Sequence, residues 1–289
     1  MAAGGVAELT ATLREGGYLA DRGLATSLLL GLRLGRPILL EGEVGVGKTE
    51  VAKTLATVLG RQLIRLQCYE GIDTFQALYE WDYAKQMLQI RALSEASLTD
   101  DGAVDQLFGP RFLLERPLLA AVRAGDRAVL LIDEVDRADD EFEAFLLELL
   151  SDFQITIPEL GTIKAERPPL VILTSNRTRE LHDALKRRCL YHWVGYPAPE
   201  REVEIVLARV PEAAEALTAK VVAAVNRLRD LEMAKPPGVA ETIDWVRSLE
   251  VVGASDLTQQ AAVDTLGSVV KEYDDLQLVT DNLDRVVGG

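Results

Sequence analysis

The chain has 289 residues, 48% of them hydrophobic, enough to build one large or two modest domains with a real core. It carries 46 acidic against 31 basic residues, a net charge of −15, which argues against broad, sequence-independent nucleic-acid binding. No run approaches the ~20 apolar residues of a membrane span, and no basic region precedes an apolar stretch at the N-terminus, so a cytoplasmic protein is expected. Cys68 and Cys189 form no C-x-x-C pair, and His182 and His192 are not spaced as zinc ligands.

Helices are expected over 6–15 and 21–34, the second with Leu24, Leu28, Leu29 and Leu32 on one face. Pro37-Ile38-Leu39-Leu40 reads as a short buried parallel strand. The next stretch, Gly42-Glu43-Val44-Gly45-Val46-Gly47-Lys48-Thr49, fits G-x-x-x-x-G-K-[ST], and Glu50 opens a helical pattern with apolar residues at 51, 55, 58 and 59. Strand, glycine loop and helix in that order make a phosphate cradle. Gly42, Gly45 and Gly47 let the backbone curl round oxygens without a Cβ clash, and the helix start favours an anion. Lys48 is a point charge for the β- and γ-phosphates, and the Thr49 hydroxyl is a Mg²⁺ ligand.

Residues 62–67 read as a second strand. The segment 69–83 then crowds in Tyr69, Phe75, Tyr79, Trp81 and Tyr83, either an exposed contact surface or ordinary packing. Helices are expected over 84–98 and 111–124, with a turn at 99–102. Ala128-Val129-Leu130-Leu131-Ile132-Asp133-Glu134 is a buried strand ending in two carboxylates, where an open parallel sheet faces its ligand. Asp133 there suits Mg²⁺ and Glu134 the polarisation of an attacking water. A helix over 141–152 and a hairpin over 155–163 lead to the strand 170–175, ended by Asn176, placed to align that water. A short helix over 181–188 ends in Lys186-Arg187-Arg188, and 190–194 reads as a fifth strand. After Pro197-Ala198-Pro199 only helical patterns follow, over 200–208, 211–231, 239–249 and 256–275.

This order of parts resembles the AAA+ ATPases and, within them, the MoxR family, more narrowly its branch associated with maturation of carbon monoxide dehydrogenase-type molybdenum enzymes. The resemblance rests on the glycine loop, on Leu131-Ile132-Asp133-Glu134-Val135-Asp136-Arg137-Ala138, on Leu173-Thr174-Ser175-Asn176 and on Leu185-Lys186-Arg187-Arg188-Cys189. For the narrow branch it rests mainly on Tyr69–Arg91 and Cys189–Trp193. It implies an α/β fold: a P-loop AAA+ core with a mainly parallel five-stranded sheet over residues 1–197, a helix insert near 69–91, and an all-helical lid over 198–289. It also implies ATP and Mg²⁺ as cofactors and a homo-hexameric ring. Lys48 and Thr49 then belong to Walker A, Asp133 and Glu134 to Walker B, and Asn176 to sensor 1. Arg188, with Arg187 next in line, takes the arginine-finger position. In such ATPases a segment before the first strand packs on adenine; Tyr18 and Leu19 either do this or are core. The family's sensor 2 arginine has no counterpart in Gly238-Val239-Ala240-Glu241-Thr242, and Arg247 is the candidate substitute.

The function implied is an ATP-hydrolysing chaperone that remodels or matures a client metalloenzyme with a von Willebrand factor A-domain adaptor. The alternatives are a DNA-directed AAA+ motor or loader, against which the acidic balance counts, and a low-turnover nucleotide-bound scaffold, against which Glu134 counts.

Overall fold

The computed structural model describes residues 4–92 and 106–288. The turn expected at 99–102 and the end of the helix expected over 84–98 lie outside them. In chain order, α1 (Val6–Glu15) and α2 (Arg22–Leu34) come first. Asp21 caps α2, its carboxylate accepting the Leu24 N–H at 2.7 Å, and Gly35 in the left-handed region ends it. β1 (Ile38–Gly42), α3 (Lys48–Leu59) and β2 (Gln62–Gln67) follow, then α4 (Thr74–Leu78), β3 (Tyr79–Trp81) and α5 (Tyr83–Ala92). β4 (Leu113–Glu115), α6 (Pro117–Ala124), β5 (Ala128–Asp133) and α7 (Asp140–Asp152) precede the hairpin β6 (Gln154–Ile157) and β7 (Gly161–Lys164). β8 (Leu170–Ser175), α8 (Asp183–Arg188) and β9 (Leu190–Val194) complete the α/β part. Helices alone follow: α9 (Pro199–Arg209), α10 (Glu215–Arg229), α11 (Val239–Val251), α12 (Gln259–Thr265), α13 (Tyr273–Asp281) and α14 (Leu283–Val287).

The main sheet has five strands in the order β2-β5-β8-β1-β9, with β2–β5, β5–β8 and β8–β1 parallel. Gln67 stands opposite Asp133 and Glu41 opposite Ser175, so the carboxyl ends of four strands share one edge. β1, β5 and β8 are buried along their whole length, as their unbroken apolar runs require.

Two compact units divide the chain. One is built mainly from Asp21–Glu41 and Ala52–His192, the other from Leu13–Ala20, Gly42–Val51 and the residues from Trp193 onward. The first has its main cluster on one face of the sheet, with Leu39, Leu130, Ile132 and Val171 meeting Phe142 and Leu118, while the alternate residues Ile38, Leu40, Val129, Leu131 and Ile172 are buried on the other face. The second has a separate core centred on Trp245, which is fully buried with its indole N–H on Thr265 Oγ1 at 2.8 Å. No helix among the described residues is long and apolar enough to cross a membrane.

Three expectations need correction. The helix expected over 111–124 begins only at Pro117, because Leu113–Glu115 pair antiparallel with Tyr79–Trp81 instead. The single helix expected over 256–275 is broken. Thr258 caps α12, Gly267 sits in a 3₁₀ turn, and α13 restarts at Tyr273, which turns Val269 and Val270 into the core. The aromatic segment divides between both of its readings. Tyr79 and Trp81 are buried and stack edge-on with Phe75 and Phe108 at 5.5–6.3 Å, so these two are packing residues; Tyr69, Phe75 and Tyr83 are exposed.

In the helical unit, the Glu202 carboxylate is fully buried. It accepts two bonds from Arg229, at 2.7 and 2.8 Å, and one from Thr242 Oγ1 at 2.6 Å, tying α9, α10 and α11 together. Arg229 also donates to the Pro237 carbonyl and lies 4.2 Å from the Tyr196 ring centroid. Glu202→Ala leaves Arg229 buried without its carboxylate and is expected to cost about 3–5 kcal/mol in denaturant unfolding, whereas Glu202→Met with Arg229→Met should recover most of that loss.

Candidate functional site

The glycine loop lies between β1 and α3, as the motif requires. Gly45 and Gly47 have φ of 76° and 91°, values that L side chains avoid. A Cβ on Gly42 would stand 2.0 Å from the Val194 carbonyl oxygen, and one on Gly45 would stand 2.8 Å from Glu241 Oε2 and 3.0 Å from the Gly238 Cα. Lys48 is buried, and its ammonium donates to the carbonyls of Gly42 at 2.7 Å and Glu43 at 2.5 Å, which folds the loop over it. Glu43 and Val44 are exposed, Val46 is buried, and Thr49 and Glu50 are half-buried in the first turn of α3.

Beside this loop lies a cavity of about 360 Å³, within the range of small-molecule sites. Gly45, Val46, Gly47 and Glu50 form one side of it. Tyr18 and Leu19 form a second, half-buried rather than packed away, so the reading that makes them core does not describe them. α11 supplies Val239, Ala240, Ile243, Asp244 and Arg247 from one face, and α9 supplies Ile205 and Arg209. Arg209 pairs with Glu50 at 3.0 Å, and Arg247 donates to the Arg209 carbonyl at 3.3 Å. Arg247 therefore stands on the cavity. α11 starts against the loop itself: the Ala240 N–H donates to Gly45 O at 3.2 Å, and a Cβ on Gly238 would lie 2.6 Å from Val44 O. An apolar recess, a positive-φ glycine loop and a buried lysine suit a nucleotide.

In the other unit, Asp133 is only 3% exposed. Its Oδ2 accepts from Arg65 Nε at 3.0 Å and from a second Arg65 nitrogen at 2.6 Å, and its Oδ1 accepts the Thr174 hydroxyl at 2.6 Å. Thr174 Oγ1 in turn accepts the Glu134 N–H at 2.9 Å, so one hydroxyl ties both acidic residues to β8. Glu134 has φ 54°, and this left-handed step turns its half-buried side chain off the strand line. Its Oε2 accepts from Gln67 at 3.0 Å and Arg137 at 3.1 Å. Thr49 offers a hydroxyl and Asp133 a carboxylate, the hard oxygen donors that Mg²⁺ takes.

Asn176, half-buried, follows β8, and its loop is clamped by Asp136. One oxygen of the buried Asp136 carboxylate accepts from the Asn176 N–H at 3.2 Å and from both the N–H and the hydroxyl of Thr178 at 2.7 Å. Arg187 and Arg188 are exposed at the end of α8. Arg188 is held by Ser151 of α7, while the Arg187 side chain has no partner among the described residues. The candidate residues thus fall into two groups, Gly42–Glu50 in one unit and Asp133, Glu134, Asn176, Arg187 and Arg188 in the other.

The sequence reading missed Arg65, Thr174 as a bridge, Asp136 as a clamp, and Arg209. For Arg65 a signal existed. In the alternating β2 it shares a face with Gln67, which stands opposite Asp133.

A family model for the AAA domain (dynein-related subfamily) matches residues 37–189, more than half of the chain. Among curated proteins, the chain is similar to the gas vesicle ATPase GvpN of Haloferax mediterranei, 24% identical over 89% of this chain and 75% of that one. It is also similar to the chaperone MoxR1 of Mycobacterium tuberculosis, 29% identical over 63% of this chain and 42% of that one. A solved RuvB mutant from Thermotoga maritima is 16% identical, covers 99% of this chain and 79% of that one, and superposes with a TM-score of 0.52, a likeness of fold.

Cys68 lies under the acidic end of β5, where its N–H donates to the Asp133 carbonyl at 2.8 Å. Burial, then the Asp133, Asp136 and Glu134 charges, push its thiol up to about 12; burial does the same to Cys189, against the opposing pull of Arg36 and Arg188. The folded chain therefore holds both protons above the ordinary value of 9.0, and stability falls as pH rises from about 9 toward 12, by about 1.4 kcal/mol per pH unit for each thiol. Alkaline unfolding curves should flatten in Cys68→Ala and Cys189→Ala, and both native thiols should resist alkylation at pH 8.

Proposed function

The chain belongs to the AAA domain family, dynein-related subfamily, and from that premise we propose that it is an ATP-hydrolysing chaperone of MoxR type that remodels or matures a client protein. The observation that carries the ATPase reading is the buried Lys48 in a glycine loop beside a recess lined by Tyr18, Leu19 and one face of α11. Residues 1–197 form the ATPase domain in this reading, with the insert near 69–91, and 198–289 form the lid.

Lys48 and the loop amides hold the phosphates, while Tyr18 and Leu19 pack on the base. Mg²⁺, held by Thr49 and Asp133, would neutralise charge on the phosphates. Glu134 polarises the attacking water, with Gln67 and Arg137 fixing its carboxylate, and Asn176 orients that water from a loop that Asp136 holds still. Arg247, beside Arg209 on the cavity, takes the part of the absent lid arginine.

The arginine finger acts on the nucleotide of a neighbouring copy, so activity depends on a ring. Arg188 has the expected position, yet its bond to Ser151 holds it to its own subunit, and it is the Arg187 side chain that has no partner among the described residues. We assign the finger to Arg187 on that ground. The similarity to a MoxR chaperone supports a protein client over DNA, as does the net charge of −15. A metalloenzyme client and a von Willebrand factor A-domain adaptor complete the reading.

The test is ATPase rate against protein concentration, with particle mass measured in parallel. Wild type should gain specific activity as it assembles. Glu134→Gln should still bind nucleotide but lose about 10²–10⁴ in rate. Arg187→Ala should lose about 10³ or more, while Arg188→Ala retains much of its activity. Turnover independent of assembly would sink the ring mechanism, and binding without turnover under all conditions would leave a scaffold.

A further inference from the structure

The parallel sheet has a second edge, at the amino ends of its strands, away from the carboxyl ends that carry Asp133 and Asn176. Arg36 precedes β1, Arg61 precedes β2, Arg127 precedes β5 and Arg167 precedes β8. Parallel pairing brings these four strand entries to one side of the sheet. Three of these arginines, with Arg33 from the end of α2, line a cavity of about 450 Å³. Asp126 is the one acidic residue on its wall, against four guanidinium groups, in a chain whose net charge is −15.

The wall holds fewer carboxylates than guanidinium groups, and Arg33 is engaged, with the Gly4 carbonyl among its partners. Arg36 spends its guanidinium on the carbonyls of Arg187, Arg188 and Cys189, at 3.0–3.3 Å. Arg167 reaches Asp126 only at 3.4 Å, with both side chains well exposed, which makes a weak pair. The side chain of Arg61, half-buried, has no hydrogen-bond or ion-pair partner among the described residues. Between the arginines stand Leu34, 60% exposed, and Pro168, also exposed.

We propose that this cavity is a docking site for an acidic segment of a partner protein, one that alternates carboxylates with apolar side chains. Guanidinium forks match carboxylates two bonds at a time. The exposed leucine and proline among them favour a peptide, which offers side chains to cover them, over a sugar-phosphate backbone, which does not. The overall charge acts in the same direction, since a long polyanion would meet repulsion beyond the edges of the patch. The site is separate from the nucleotide loop in its residues, and it stands whether or not the chain hydrolyses ATP.

The experiment uses the full chain and a short fluorescent peptide of glutamate and leucine, read by anisotropy. Inorganic phosphate and a single-stranded oligonucleotide of equal length serve as competitors. Saturable binding is expected, weakening steeply with salt and weakening roughly tenfold or more in Arg61→Glu with Arg167→Glu. That variant should keep its melting temperature, particle mass and basal ATPase rate; Arg61→Gln with Arg167→Gln replaces it if charge reversal unfolds the chain. Equal affinity for variant and wild type would overturn the proposal. Displacement by phosphate or the oligonucleotide as effective as by unlabelled peptide would overturn it in favour of a phosphate site. A change of particle mass in the variant would overturn it in favour of a contact between copies of this chain.

Discussion

Much of the α/β unit is arranged around one carboxylate that has been taken out of water. Asp133 is almost wholly buried, and a buried ionised group is tolerated only when its oxygens are paired. The pairing comes from both neighbouring strands, Arg65 on β2 and Thr174 on β8, so satisfying Asp133 fixes the carboxyl ends of three strands at once. The same Thr174 hydroxyl receives the Glu134 N–H. The left-handed step that swings Glu134 away from the strand is thereby anchored on the hydroxyl that donates to its neighbour's carboxylate. Asp136, three residues beyond, does for the Asn176 loop what Thr174 does for Glu134. A short stretch of acidic sequence thus sets the position of several polar groups through fixed, charge-assisted bonds.

The helical unit is governed by a steric condition. At Gly45 and Gly238 two backbones approach so closely that neither position accepts a Cβ, and the Gly45 carbonyl accepts the Ala240 N–H. The phosphate-type loop and the first turn of α11 therefore cannot change shape independently. Anything that reshapes the loop is felt at the start of α11, which also carries Arg247 on the cavity. Behind it, the Glu202–Arg229 pair makes α9, α10 and α11 one body, so a displacement at Gly238 is expected to move the three helices together.

The sequence disclosed those parts whose physics is local. Buried parallel strands are written as continuous apolar runs, and β1, β5 and β8 lie where such runs stand. The glycine loop was equally plain, since its residue types are demanded by its own backbone. What escaped was set by distant partners. Leu113–Glu115 have the pattern of a helix and become a strand only because Tyr79–Trp81 offer them an edge. Arg65 was visible as a charged residue in a strand, but its meaning depends on the register that sets Gln67 opposite Asp133. The break at Gly267 follows from the demand of the Trp245 core for Val269 and Val270, which no helical periodicity contains.

Arg36 belongs to two structures at once. It lines the basic cavity, and it is the cation at the carboxyl end of α8, where three carbonyl oxygens, those of Arg187 and Arg188 included, converge on it. A carboxylate that drew this guanidinium outward would leave the last turn of α8 without its counter-charge. Free energy is a state function, so such coupling runs both ways: if an anion in the cavity loosens the last turn of α8, then whatever grips Arg187 from outside and steadies that turn weakens the cavity's hold on the anion by the same factor. One side chain thus links the basic cavity to the helix end beside it, at the same edge of the sheet.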